Sequence, residues 1–446
     1  MTAKTIKAPF FIPALRAGVM LAMAGSVSTA MAADLSFDWG ADYRASAFYI
    51  QSDSLDSGGR YDSDNDNGLA HLIRVRGTVK DVESGASLHA SVELAGDRWS
   101  GDYRHYDTTA PRSYNRGSRS DNVRLDQAYV QLPLGDATAR IGRMAANFNN
   151  CFLVCDDRRD RALVMLPTDY ATLISVYDRR ADTDSFFNQD NGDLLAFGGV
   201  AKPFGWTAEL IYIHWFNNFT GDFGDPAAEG APDPFVLQDL DLFSGRLAGS
   251  LGGVADLTVG GTWTANGKAD LADDGRFFIG QSWSGYLRVG KRYGDLSLDA
   301  QYVATRDGGL ISPGFDSYAS IINSNPDATN SPNSLYRMGG AYGIRELDED
   351  LLIGRIGYQL TPKLDLALAV GQLSVGTQAG DDDSMVYDLH AGYQVTDRVR
   401  LWSRLGWLQA NDQGSLTSNS LVGSLPSSSF ADDDLLTASL NLSVEF

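Results

Sequence analysis

From Asp434 to Phe446 the chain reads Asp-Leu-Leu-Thr-Ala-Ser-Leu-Asn-Leu-Ser-Val-Glu-Phe, and one parity of this run is wholly apolar: Leu436, Ala438, Leu440, Leu442, Val444 and Phe446. The residues between them, Thr437, Ser439, Asn441, Ser443 and Glu445, are all polar. A β-strand turns successive side chains to opposite faces, so such a segment has one greasy face and one wet face. The pattern recurs near the other end, where Leu35, Phe37, Trp39, Ala41, Tyr43 and Ala45 alternate with Ser36, Asp38, Asp42, Arg44 and Ser46. Charged residues in mid-strand are costly against lipid and must face water. No stretch beyond the N-terminal region approaches the roughly 20 apolar residues of a membrane helix. A membrane crossing by this chain therefore requires strands closed into a barrel, which alone satisfies every backbone group in lipid.

An alternating strand that stops on Phe446 resembles the closing strand of bacterial outer-membrane β-barrel proteins. The resemblance implies recognition by the barrel-assembly machinery through that residue. The N-terminal region agrees: Lys4, Lys7 and Arg16 precede an apolar stretch from Ala17 to Val27, then Ala30-Met31-Ala32. That is the layout of a cleaved secretory signal peptide over residues 1–32, with a mature chain of residues 33–446. The expected location is the bacterial outer membrane, and the expected partners are its lipid and lipopolysaccharide.

Charge excludes one class of partner. The net charge is -21, and -24 without the three leader cations, which disfavours nucleic acid because phosphates need a basic surface. Part of the acidity is clustered, at Asp62, Asp64 and Asp66, at Asp381 to Asp383 and at Asp432 to Asp434. The first cluster lacks the glycine and the closing glutamate of a calcium loop, Asn67 and Ile73 standing there instead, and no metal or other cofactor is expected.

Alternating segments separate two kinds of connection. Short turns fall near Asp81 to Gly85, Pro133 to Ala137, Pro167 to Tyr170, Pro203 to Trp206, Leu251 to Val254, Arg292 to Asp295, Thr361 to Lys363 and Thr396 to Arg398. Long polar connections fall near 51–70, 100–122, 144–161, 179–193, 217–241, 266–280, 308–350, 374–384 and 411–433. Short periplasmic turns and long outer loops are the asymmetry of a membrane barrel. The count predicts an all-β, antiparallel barrel of about 18 strands, or 16 if the segment around Pro167 is one strand and not two. At that width side chains cannot fill the interior. The lumen must hold water or a folded-in loop.

Val123 to Arg143 contains Ala128-Tyr129-Val130 and then Gly142-Arg143. This resembles a hairpin of porin-like proteins of the alginate-export type, and the resemblance implies a passive outer-membrane channel without naming the solute. The third connection follows, with Arg143 at its start and Asp156, Asp157, Arg158, Arg159, Asp160 and Arg161 within it. In porins the third outer loop commonly folds into the lumen, so these residues are the candidates for a pore constriction with opposed charges. Their alternative is a solvated mixed-charge loop or ion pairs that satisfy one another. Cys151 and Cys155, the two cysteines of the chain, are expected to form a disulfide on an oxidising export route.

Arginines recur at lumen-facing parity: Arg44, Arg74, Arg76, Arg124, Arg140, Arg246, Arg288, Arg355, Arg400 and Arg404. Guanidinium groups bind planar oxyanions in two-pronged fashion, so such a passage favours anionic solutes. Interior acids are nearly as numerous, and pairing across the wall is the competing use of the same charges. The five histidines are scattered and neither a GxSxG elbow nor an HExxH pair occurs, so the chain is not expected to be an enzyme. The expectation is a monomeric or trimeric channel for passive diffusion of small hydrophilic solutes. Its rivals are a surface adhesion or scaffold barrel with a blocked lumen and an outer-membrane hydrolase.

Overall fold

A computed structural model describes residues 34–51, 65–98, 123–179, 193–216, 240–265, 270–271, 275–276, 281–312, 314–323, 336, 338–339, 348–377, 380–409 and 434–446. The leader expected over residues 1–32, Asp62 and Asp64, and most of the outer connections lie outside the described residues.

The alternating segments become strands: β1 (Leu35–Gln51), β2 (Asn65–Asp81), β3 (Ser87–Arg98), β4 (Val123–Leu134), β5 (Ala137–Phe148), β6 (Val154–Pro167), β7 (Ala171–Arg179), β8 (Asp193–Ala201), β9 (Thr207–Phe216), β10 (Leu240–Leu251) and β11 (Ala255–Ala265). A two-residue ladder, β12 (Asp270–Leu271) with β13 (Gly275–Arg276), stands apart from the wall. The wall resumes with β14 (Gln281–Tyr293), β15 (Leu296–Arg306), β16 (Glu349–Thr361), β17 (Leu364–Thr377), β18 (Gly380–Thr396), β19 (Val399–Gln409) and β20 (Leu435–Glu445). Each wall strand pairs antiparallel with the next in chain order. The ring closes where β1 meets β20, from Asp42 opposite Glu445 to Gln51 opposite Leu436. The result is a closed antiparallel barrel of 18 strands. Closure leaves no sheet edge to solvate, the condition for a sheet in hydrocarbon.

Cross-strand register lines up the greasy parity. Ile356, Leu368, Leu389 and Leu405 stand side by side on four successive strands, all exposed on the outer face. Aromatics near strand ends, among them Trp39, Trp263, Trp283, Tyr358, Tyr393 and Trp407, are also outward and exposed. They form the interfacial girdle of a membrane barrel.

All eight expected turns are present, each joining two neighbouring strands. The segment around Pro167 is two strands, β6 and β7. Two of the expected long connections are different. Residues 374–384 are mostly ladder, with Gly376 opposite Asp381 and Thr377 opposite Gly380, because a strand that outruns the membrane keeps its backbone bonds while its side chains meet water. Residues 144–161 are likewise a hairpin of β5 and β6 joined by only 149–153, since its charged side chains find partners on the wall and need no open loop.

Candidate pore constriction

The β5–β6 hairpin leaves the wall. Its last partner on β4 is Ala128, opposite Arg143, and its first partner on β7 is Arg179, opposite Asp160. The internal ladder of β5 with β6 nevertheless continues to Phe148 opposite Val154. The departure begins at Gly142, whose φ of 130° is foreign to L side chains and whose added Cβ would lie 2.3 Å from the Ala128 carbonyl oxygen. The Ala128-Tyr129-Val130 and Gly142-Arg143 motifs are therefore one cross-strand unit at the bend.

At the tip, Asn149, Asn150 and Cys151 take left-handed φ values of 53°, 53° and 63°. The Cys151–Cys155 disulfide joins the two sides of the turn. Asn149 is fully buried: its Nδ2 donates to Ser244 Oγ (2.9 Å) and to the Gly261 carbonyl (3.2 Å), and its Oδ1 accepts from the Tyr286 hydroxyl (3.1 Å). Those partners sit on β10, β11 and β14, four to six strands round the wall from β6. The tip has crossed the lumen. Phe148 and Leu153 pack on inward apolar residues of β7 to β10, including Val176, Leu194, Ile211 and Trp215.

A second segment folds inward from the long connection between β15 and β16. Ile311, Phe315, Ala319, Ile321, Ile322, Tyr336 and Met338 are buried against inward-facing Val303, Leu351, Ile353, Leu373, Val375, Val386 and Leu408. Polar anchors hold it. The Ser320 N–H and hydroxyl both donate to Asp388 Oδ2, the Tyr336 hydroxyl and the Gly339 N–H donate to Glu349, and Asn323 binds both the N–H and the carbonyl of Met338. The two segments also touch: the Ser312 N–H donates to the Phe152 carbonyl (2.8 Å), and the Phe152 ring lies 4.8 Å from that of Phe315.

The charges of the hairpin are matched by the wall. Arg158 Nε donates to Asp126 (2.5 Å), which Arg74 also approaches (3.0 Å) while binding Glu93 (2.8 Å). Arg161 grips Asp178 in two-pronged fashion, and Arg159 stands 3.8 Å from the same carboxylate. Arg143 faces Asp160 at 3.7 Å on the other side of the hairpin. The side chains of Asp156, Asp157 and Arg124 lie outside the described residues. Among the remaining lumen arginines, Arg44 and Arg76 flank Asp42 (3.4 and 3.6 Å), Arg140 binds Gln131 (2.8 Å), and Arg246 pairs with Glu209. Arg288 donates to Gln301 and to the Asp316 carbonyl of the second infolded segment.

A recess of about 290 Å³ opens on the inner faces of β1, β16, β18, β19 and β20. Arg44, Arg355, Arg400 and Arg404 line it with Trp402, against Asp42 and Glu445. Arg400 also meets Asp365 at 3.8 Å. Burial on the infolded segment pushes the Tyr318 phenol above its usual range, so its ring beside the arginines stays uncharged. Of the anchors, Asp388 stands among the interior acids expected from strand parity, whereas Asn149, Tyr286 and Glu349 have no role in the sequence reading. Their one local signal is the apolar content of the supposedly polar 308–350 connection, which includes Ile311, Phe315, Ile321 and Ile322.

No family model and no curated protein matches the chain. Solved structures do. OpdK of Pseudomonas aeruginosa, crystallised with vanillate, superposes with a TM-score of 0.56 at 14% identity, covering 92% of this chain and 98% of that one. OpdQ of the same organism gives 0.55 at 12% identity, with 92% and 97% covered. OccK3 (OpdO) gives 0.53 at 14%, with 92% and 96% covered. OpdK is described as an outer membrane protein. At such identities the likeness is one of fold, and by that fold the chain is a β-barrel of the bacterial outer membrane in contact with its lipid.

Proposed function

We propose that this barrel is a porin, a channel through which small hydrophilic solutes diffuse passively, with a preference for anions. The observation that carries the reading is the recess of Arg44, Arg355, Arg400 and Arg404 beside two segments folded into the lumen. A lumen narrowed on two sides brings a solute within reach of the wall, and guanidinium groups there favour carboxylates or phosphates over cations. The vanillate bound by OpdK is a carboxylate, which accords with that class of solute. The hairpin of Ala128-Tyr129-Val130 with Gly142-Arg143 supports kinship with the alginate-export type of barrel, without making alginate the solute.

The test is single-channel recording in planar bilayers with a KCl gradient. The expected result is stepwise conductance with a reversal potential on the anion side, displaced toward cations in Arg400→Ala with Arg404→Ala. Repeated insertion without conductance would leave the scaffold barrel in its place. Conductance with an unmoved reversal potential in the double variant would take the recess out of the permeation path.

A further inference from the structure

The cation that lines the recess with the fewest partners is Arg355. Among the described residues no hydrogen bond or ion pair within 4 Å is made by its guanidinium, and its carboxylate neighbours, Asp299 opposite it on β15 and Asp388 on β18, act on it only at longer range. What it does have is a ring, since its guanidinium carbon stands 5.6 Å from the centre of Tyr318. The same ring stands 5.1 Å from the guanidinium of Arg288, which also lies 4.7 Å from Phe315. Tyr318 is thus shared by two arginines, one of them bound to the infolded segment and one facing the recess.

Tyr318 is also held in an unusual place. Its φ of 68° is in the left-handed region, an outlier for a bulky residue. Asp316 Oδ1 accepts its N–H (3.0 Å), and two residues later Ser320 is pinned to Asp388 on the wall. The backbone is constrained on both sides of the ring, so the ring has little freedom to leave the arginines.

We propose that Tyr318 is a positioning residue for anion selectivity: its face stacks on Arg355 and turns the guanidinium fork toward the recess, where a passing carboxylate meets two parallel N–H donors. Stacking on one face of a guanidinium leaves its in-plane donors unused, and an arginine so fixed loses less freedom when an oxyanion binds. The inference rests on the channel reading above, and deepens it by naming which arginine is set for a carboxylate and what sets it.

The experiment is the reversal potential in a potassium acetate gradient, recorded for the wild type, Tyr318→Leu, Tyr318→Phe and Arg355→Lys. Heat-modifiable migration on gels checks that each variant is folded. The acetate-to-potassium permeability ratio is expected to fall about two- to fivefold in Tyr318→Leu, the scale of a lost cation–π contact. Tyr318→Phe, which keeps the ring, is expected to stay at the wild-type ratio. Arg355→Lys, which keeps the charge but not the stacked fork, is expected to match Tyr318→Leu and serves alone if the leucine variant does not fold. A wild-type ratio in Tyr318→Leu or in Arg355→Lys overturns the proposal, and so does a phenylalanine variant that falls as far as leucine. A wild-type protein that forms no pores overturns the channel reading, and this inference with it.

Discussion

Gly142 and Asn149 do opposite jobs at the two ends of one excursion. Gly142 starts the hairpin inward with a backbone that no L side chain adopts at ease and with a carbonyl where a Cβ would be. Gly142→Ala is expected to cost more than about 1 kcal/mol in urea unfolding of the folded barrel, since both space and φ oppose the new methyl. Asn149 ends the excursion by three hydrogen bonds to the far wall. Each such bond is worth about 1 kcal/mol net. Asn149→Ala should therefore release the tip, read as larger and noisier conductance with an unchanged barrel. Arg158 belongs to a different balance. It offsets Asp126 beside Glu93 and Arg74, so Arg158→Ala bares acid on that side of the lumen. The expected readout is a shift of reversal potential toward cations, and no shift would place this cluster outside the conduction path.

At the level of elements, the lumen is shaped by two segments with different means of attachment. The β5–β6 tip is a short ladder closed by Cys151–Cys155. A cross-link over so short a loop is worth about 2 kcal/mol in the chain-entropy account. Replacing both cysteines by serine is expected to make the hairpin cleavable by added protease while the wall strands stay protected. The segment after β15 is attached by apolar burial on Leu351, Ile353, Leu373, Val375, Val386 and Leu408. Deleting residues 310–346 should raise single-channel conductance several-fold, and an unchanged value would mean that this segment does not narrow the path. The reading of strands and turns from alternation succeeded for the wall, where one face meets lipid and the other water. It did not give the strand pairing of the first segment, whose infolding was expected only from the porin resemblance, and it gave no infolding for the second. Their charged residues look like loop, and their partners, such as Asp126 for Arg158 and Asp388 for Ser320, are 32 and 68 residues away in the chain.

For the whole molecule, the decisive boundary is between lipid and lumen. Leu389 lies in the exposed outer row with Leu368 and Leu405, one residue before inward His390. Leu389→Arg is expected to destabilise the barrel by about 2–4 kcal/mol, the cost of a cation on the lipid face near the bilayer midplane. Urea titration in lipid vesicles measures it, and a neutral result would put that face in water. Period-two alternation, the eight short turns and the closing strand from Leu435 were enough to determine a barrel of this size, because each is a local response of side chains to lipid on one side and water on the other. The filling of the lumen was decided only by the tertiary structure. Inward residues such as Leu373, Val375 and Val386 break the wet parity, and they are stable there only because a distant segment covers them. Which segment does so is decided by contacts between residues far apart in the chain: the segment after β15 lies back over β15 to β20, while the β5–β6 tip reaches β10, β11 and β14.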